Sequence, residues 1–418
     1  MMADIKRKVP NLRFKGFTDY WEQHKLGDIA KVTKLAGFEF TKYINYSSKG
    51  KILAIRGLNI KDGKFNLQDV KYIDNSDFNK LTRSKLRQDD ILFTYVGTIG
   101  NSAIVPAGVK WYLAPNVCLI RTQTENAKFI SHLIQSDKFQ HQEIPKWITT
   151  SSQPALSMEN IRKFSIILPT ISEQLKISNL VSIIDTIITL QQRKLELLKQ
   201  LKKGFLQKMF AEKNSKQPVL RFKGFHDDWE QRKLSELIQK GGSGGTPKST
   251  NKAYYNGNIP FLGISDISKS NGYIDDTEKY ISEKGLDNSS AWIVPKGAIS
   301  LAMYASVGKL AILNTDAATS QAFYNMVFED VSIRDYVYHR LGKANEFGEW
   351  TRLISTGTQS NLNADKVKNF RIQVPQIIDE IKNISTFFNQ LDSLIALHQR
   401  KQNHLKLLKK SLLQQMFM

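Results

Sequence analysis

PNLRFKGFTDYWEQHKL, residues 10–26, returns as PVLRFKGFHDDWEQRKL at residues 218–234, identical at 13 of 17 positions and displaced by 208. A second pair, DTIITLQQRKLELLKQLKKGFLQKMF (185–210) and DSLIALHQRKQNHLKLLKKSLLQQMF (392–417), is identical at 15 of 26 positions with a displacement of 207. Two matches at nearly one displacement mark a tandem duplication whose halves begin and end alike. Between those ends the halves diverge and only echoes persist. ILFTYVGTIGNSAI at 91–104 parallels ISLAMYASVGKLAI at 299–312, and ILAIRGLNI at 52–60 parallels IPFLGISDI at 259–267. One fold kept with different surface side chains suits two modules that present different recognition surfaces.

Within each half the divergent part alternates short apolar runs with Gly, Asn, Asp and Pro. ILFTYVGTIG, SAIVPAG, VCLIRT, GAISLAMY and AFYNMVFED read as strands bounded by turns, with helices near 126–142 and 330–348. A mixed α/β (α+β) domain is therefore expected at 1–165 and again at 213–371. After Pro169 and Pro375 the pattern becomes helical and stays so to residue ~210 and ~417, giving helical segments at 166–212 and 372–418. The first carries a heptad seam of Val181, Ile184, Ile188, Gln191, Leu195, Leu198, Lys202, Phe205 and Met209. The second carries Phe388, Leu391, Ile395, His398, Gln402, Leu405, Lys409, Leu412 and Met416. So narrow a stripe needs a helical partner. The other copy in the same chain is the nearest one, and homology of the halves implies an antiparallel, pseudo-twofold coiled coil with the divergent domains at opposite ends. Its expected core includes Ile184, Ile188, Leu195, Leu198, Phe205, Leu391, Ile395, Leu405 and Leu412. Pairing with a second chain is the alternative, since a heptad pattern does not name its partner.

The 418 residues carry 60 Lys plus Arg against 39 Asp plus Glu, a formal charge of +21. Residues 1–210 hold 33 basic and 18 acidic side chains, and residues 211–418 the remainder, so the excess is +15 and +6. It is interleaved with acidic and aromatic residues, unlike a basic tail, and indicates a folded surface that meets a polyanion. No apolar run is long enough to span a bilayer, the start lacks the apolar core of a signal peptide, and Cys118 is the only cysteine. A cytoplasmic protein is expected.

Catalytic signatures are absent. There is no Gly-x4-Gly-Lys-Ser/Thr loop, no Gly-x-Gly-x-x-Gly fingerprint, no Asn/Asp-Pro-Pro-aromatic motif and no His/Cys spacing for a metal. Asp89–Asp90 and Asp275–Asp276 fall between strands, where turn formation is the ordinary reason for such pairs. GGSGGTPKST at 241–250 reads as a loop that lets a ligand backbone approach closely.

The paired LRFKGF-x-x-x-WEQ-x-KL starts, the GGTP-x6-YYNGNIPF stretch, the Pro169–Glu173 and Pro375–Glu380 spacings and the QRK…LKK…QMF-like helix ends resemble the specificity subunit of type I restriction-modification systems. The resemblance covers essentially the whole chain. It is weaker in the first divergent segment, where GFEFTKYINYSSKG replaces a GGTP stretch. It implies that 1–165 and 213–371 are two target-recognition domains, each reading half of a split double-stranded DNA site. The helical segments would be conserved spacers that set the gap. Two methyltransferase subunits would dock on this frame and restriction subunits would join them. S-adenosylmethionine, ATP and Mg would be bound by those partners and none by this chain, which would have no catalytic residue and no metal of its own. A non-catalytic coiled-coil adaptor or a DNA-binding scaffold outside restriction-modification is the competing reading.

Basic groups set register on phosphates, while amide, hydroxyl and guanidinium groups on loops read base edges. In the first domain the candidates are Tyr43, Lys51, Arg56, Asn59, Lys61, Tyr95, Thr98 and Asn116. In the second they are Lys248, Thr250, Asn251, Tyr255, Ser265, Asp266, Tyr304, Ser306, Lys309 and Gln321. Gln153 and Gln359 stand at matching places in TTSSQPAL and STGTQSNL and point to a shared role, a phosphate contact or loop structure.

Overall fold

The structure, a computed structural model, describes residues 9–149, 154–354 and 362–417. Gln153 and Gln359 lie outside them. The chain forms two compact units, residues 1–190 with 402–418, and residues 191–401. The divisions fall inside the two long helices, so each unit contains a stretch of both.

In the first unit an antiparallel sheet runs in the order Ala30–Lys34, Val117–Thr122, Ile91–Thr94, Ser102–Ile104. Ile91, Phe93, Cys118 and Ile120 face one core, shared with the helix Ala127–Ile134, whereas Leu92, Val117 and Leu119 face another. Alternate residues of one strand point to opposite faces, and here both faces are covered. That is why these strands read as unbroken apolar runs. A second small sheet sets Leu53–Ile55 between Lys71–Tyr72 and Trp111–Leu113, the latter parallel. Asn126 caps the helix by accepting from the Phe129 amide at 2.9 Å.

The second unit repeats this plan. Its sheet runs Lys240–Ser243, Phe323–Val327, Ile299–Ala302, Leu310–Leu313, Tyr273–Ile274, with a small sheet that sets Ile259–Leu262 between Lys279–Ile281 and a parallel Ala318–Thr319. The helix Val331–Glu346 follows, capped by Asp330. The fifth strand is new. The corresponding segment of the first unit, Lys64–Phe65, instead pairs with Ile60–Lys61 as a separate hairpin.

The duplicated ends have a physical reason. Arg13 donates from Nε and Nη2 to both carboxylate oxygens of Glu173 at 2.8 and 2.7 Å, and Arg221 does the same to Glu380 at 2.7 and 2.8 Å. Each glutamate is 1 % exposed and lies in the first turn of a long helix. The LRFKGF segment is therefore a strap that ties its domain to a helix start through a two-point ion pair. It also meets a helix end: the Leu12 amide donates to the Gln415 carbonyl at 3.0 Å and the Leu220 amide to the Lys208 carbonyl at 2.8 Å. Trp21 and Trp229 are buried beside these straps.

The long helices span Ile171–Met209 and Ile378–Met416. Within the second unit Lys202 bonds Asp392 at 2.5 Å, Gln191 Oε1 meets His398 Nδ1 at 2.9 Å, and Phe205 packs on Phe387 with ring centroids 4.9 Å apart. Rising numbers on one helix meet falling numbers on the other, so the pair is antiparallel. Within the first unit Lys409 bonds Asp185 at 2.7 Å, while Ile177 and Leu180 share a core with Leu412, Leu413 and Met416. Ile184, Ile188, Leu195 and Leu391 are buried, and Leu198, Phe205, Ile395, Leu405 and Leu412 are half-buried. Gln191, Lys202, His398 and Lys409, polar positions of the seam, bond across the pair, which favours this register over a slipped one.

That cluster is itself duplicated. His132 and His339, 207 residues apart, stand beside Asp185–Lys409 and Asp392–Lys202 respectively. Burial pulls each imidazole from 6.5 down to about 4, so both are neutral at pH 7. No helix among the described residues is long and apolar enough to cross a membrane.

Candidate nucleic-acid interface

The two units offer one backbone frame with different side chains on it. In the first unit the Thr94 amide donates to the Asn101 carbonyl (2.9 Å), Gly100 to Thr94 (3.0 Å), Tyr95 to Asn116 (3.2 Å) and Leu156 to Tyr95 (2.9 Å). In the second, Ala302 donates to Lys309 (2.8 Å), Gly308 to Ala302 (3.0 Å), Met303 to Ala322 (2.7 Å) and Leu362 to Met303 (3.0 Å). The loops after Ile91–Thr94 and Ile299–Ala302 are thus the same loop. Both need left-handed backbone: Gly97 and Gly100 supply it in the first and Gly308 in the second, where Ala305 and Ser306 also hold φ of 30° and 50°. Such non-glycine residues cost roughly 1–3 kcal/mol each and concentrate at functional loops.

A second shared element follows the inner strand of each small sheet. The Arg56 amide donates to Asn59 Oδ1 at 3.1 Å, and the Gly263 amide to Asp266 Oδ2 at 2.7 Å. Asn59 is 0 % and Asp266 8 % exposed. Asn59 also donates to the Asn66 and Asp69 carbonyls, and Asp266 accepts from the Glu278 amide. The structure therefore places both candidates inside the fold, as the residues that shape the turn.

These elements enclose a cleft of about 550 Å3 in the first unit. Of the residues singled out in the sequence, Arg56, Thr98 and Asn116 line it, Asn116 with φ of 67°. Phe40, Tyr46, Leu58, Lys71, Val96 and Pro115 complete it. Leu58 is 53 % exposed on the wall of the cleft. These six carry no local signal, because only the fold draws five separate segments together. Tyr95 is half-buried with the Lys34 ammonium 5.7 Å from its ring centre, and Tyr43 packs on the second core with Lys42 over its ring. Lys51 and Lys61 are exposed and do not line the cleft.

In the second unit the corresponding loops carry Ser265, Tyr304, Ser306 and Gln321. Ser265, Ser306 and Gln321 are exposed and Tyr304 is half-buried. Thr246 bonds the Gln321 amide oxygen, and Ser306 and Ser268 share a hydroxyl contact at 3.3 Å. Lys248 and Thr250 are exposed, Asn251 caps the turn Lys252–Tyr255, and the Tyr255 hydroxyl donates to the Pro247 carbonyl at 2.7 Å. Lys309 turns away toward a separate cavity of about 520 Å3, where it joins Lys199, Lys202 and Lys203.

The glycines of GGSGG serve a different purpose from the one the sequence suggested. Lys240–Ser243 is a strand paired to Phe323–Val327. A Cβ on Gly244 would lie 2.1 Å from the Thr319 carbonyl oxygen, and one on Gly245 2.3 Å from the Ala291 amide nitrogen. The close approach at these two glycines is to the protein's own backbone. The acidic pairs behave as turn residues, with one addition: Asp89 has φ of 65°, while Asp90 is buried and accepts two bonds from Arg121 at 2.6 Å.

Comparison with known proteins agrees with this geometry. The family described as type I restriction modification DNA specificity domain matches residues 18–200 and 226–407, one copy per repeat. The chain is 32 % identical over 180 residues to the type I restriction enzyme MjaIX specificity subunit of Methanocaldococcus jannaschii, covering 43 % of this chain and 41 % of that protein. It is 25 % identical over 181 residues to the EcoR124I/EcoR124II specificity subunit of Escherichia coli, covering 42 % and 43 %. These alignments span less than half of either relative. Another, to the MjaVIII specificity subunit of M. jannaschii, is 21 % identical over 94 % of this chain and 91 % of that one. The crystal structure of a type I restriction-modification S subunit from M. genitalium shares the fold at a TM-score of 0.62 and 13 % identity, covering 98 % of this chain and 99 % of that one. The duplicated straps, the antiparallel helices and a family match that covers both repeats lead to one conclusion: the chain belongs to the type I restriction modification DNA specificity family.

Proposed function

We propose that this chain is the DNA specificity subunit of a type I restriction-modification assembly. Each unit reads one half of a bipartite duplex target, and the helix pair sets the gap. One observation carries this reading: the same loop frame recurs in both units while the side chains it presents differ, Arg56 against Gly263, Leu58 against Ser265, Val96 against Tyr304 and Pro115 against Gln321. A scaffold with two equal binding sites has no reason to vary these positions and keep the frame. The net charge of +21 supports a polyanionic ligand.

The chemistry belongs to partners in this reading. Two methyltransferase subunits and the restriction subunits bring S-adenosylmethionine, ATP and Mg, and the assembly works in the cytoplasm. Exposed apolar residues on the long helices, Ile183 and Leu190 in the first unit and Leu197 and Leu201 in the second, suit a docking surface for such subunits. Gel-shift titration of the chain with its methyltransferase subunits should show tight binding to one split sequence over random duplex, with affinity falling steeply as salt rises. Equal binding to all sequences, or no salt dependence, would rule the reading out.

A further inference from the structure

We propose that the second unit grips backbone phosphates of the bound duplex in a lysine-lined cleft between its stretch of the first long helix and the loop Ala302–Lys309. This contact anchors the DNA without reading its sequence. The inference rests on the reading of the chain as a DNA specificity subunit and adds a second kind of contact to it.

The cleft of about 520 Å3 draws Lys199, Lys202 and Lys203 from the helix and Lys309 from the end of the loop. Glu346 is the one acid that lines it among the described residues, and Lys203 takes that carboxylate at 2.6 Å. Lys202 is held by Asp392 at 2.5 Å. Lys199 and Lys309 are exposed and have no acidic partner among the described residues. Ser268 lines the cleft too, and its hydroxyl lies 3.3 Å from that of Ser306 in the loop. The cleft is therefore continuous with the loop whose side chains differ between the units.

An ammonium is a compact charge on a flexible stem, which suits a phosphate met from any direction better than the planar edge of a base. A duplex seated on the loop brings its own backbone within a groove width, about 12 Å. The first unit has the same cleft with less charge in it. The helix end LKQLKK (198–203) recurs as LKLLKK (405–410), and a cleft of about 560 Å3 there is lined by Lys406, Lys409 and Lys410 together with Asp62 and Asp137. Lys410 pairs with Asp137 at 3.4 Å and Lys409 with Asp185 at 2.7 Å. Asn101 stands in place of Lys309, because the Thr94 amide donates to its carbonyl as the Ala302 amide does to that of Lys309. Four lysines against one acid leave the second cleft an excess of +3, and three lysines against two acids leave the first +1. The stronger phosphate grip therefore belongs to the second unit, although its repeat carries the smaller excess overall.

The test uses the full chain with its methyltransferase subunits, titrated with the mapped target duplex and with random duplex over a range of salt. Lys199→Gln and Lys309→Asn should each flatten the dependence of log affinity on log salt by about 0.9, and the double variant by about twice that. Binding to both duplexes should weaken alike, with base preferences as they were. Neutral methylphosphonates placed singly beside the second unit's half-site should weaken the unaltered complex at a phosphate to which the double variant is indifferent. An unchanged salt slope, equal methylphosphonate effects in both complexes, or an altered base preference would overturn the proposal. So would weaker assembly with the methyltransferase subunits in the absence of DNA, since the cleft would then hold a protein surface. Lys309→Gln replaces Lys309→Asn if the latter lowers the thermal midpoint. A complex with no bipartite preference would instead sink the reading on which the proposal rests.

Discussion

Replacing Glu380 by alanine should lower the melting temperature of the second unit by about 10 °C. Its carboxylate is 1 % exposed, takes two bonds from Arg221 and accepts a third from Trp229 Nε1 at 3.2 Å. Removal leaves a guanidinium that is only 12 % exposed and a buried indole N–H with no acceptor. Breaking a buried pair on one side costs about 3–5 kcal/mol, because the remaining charge keeps its desolvation penalty. For a unit of this size each kcal/mol moves the midpoint by roughly 2–4 °C. Glu173→Ala should do the same to the first unit, where Arg13 is the stranded partner. Differential scanning calorimetry checks both. A change below about 1 kcal/mol would mean that the strap behaves as a surface ion pair and does not fasten its domain.

Phe210→Ala and Phe417→Ala should act on different units, each with a loss of about 3–5 kcal/mol. Phe210 closes the first long helix but is buried in the second unit, with its ring 5.2 Å from Tyr336 and 5.5 Å from Phe388. Phe417 follows the second long helix and is buried in the first unit, 5.1 Å from Phe129. Hydrogen exchange in Phe210→Ala should lose protection in the strands between Ile259 and Val327 while those between Ala30 and Thr122 keep theirs, and Phe417→Ala should give the reverse. Loss in the unit nearer along the chain would contradict the packing.

Much of this was legible in the sequence because it rests on period and repetition. The long helices follow from a heptad that survives in two copies, and their antiparallel pairing from the homology of the halves. Val117–Thr122 stood out as VCLIRT because a strand buried on both faces has no polar alternation to hide it. The straps were visible as LRFKGF, but the reason for the arginine was not, since Glu173 lies 160 residues from Arg13. Polar residues misled where the fold itself uses them. Asn59 and Asp266 have the composition of base readers and are buried turn residues. GGSGG has the composition of a ligand loop and is packed against its own chain. The apolar part of the first cleft was invisible for the opposite reason: Leu58, Tyr46 and Pro115 are ordinary residues until three loops converge.

The central claim is that each unit reads its own half of the target from side chains that line the shared frame. Exchanging residues ~30–150 for the matching segment of a relative, then mapping methylated adenines across a genome that carries the exchanged chain, tests it most directly. The expected result is a bipartite motif altered in one half, with the other half and the gap as they were. A motif altered in both halves would contradict it.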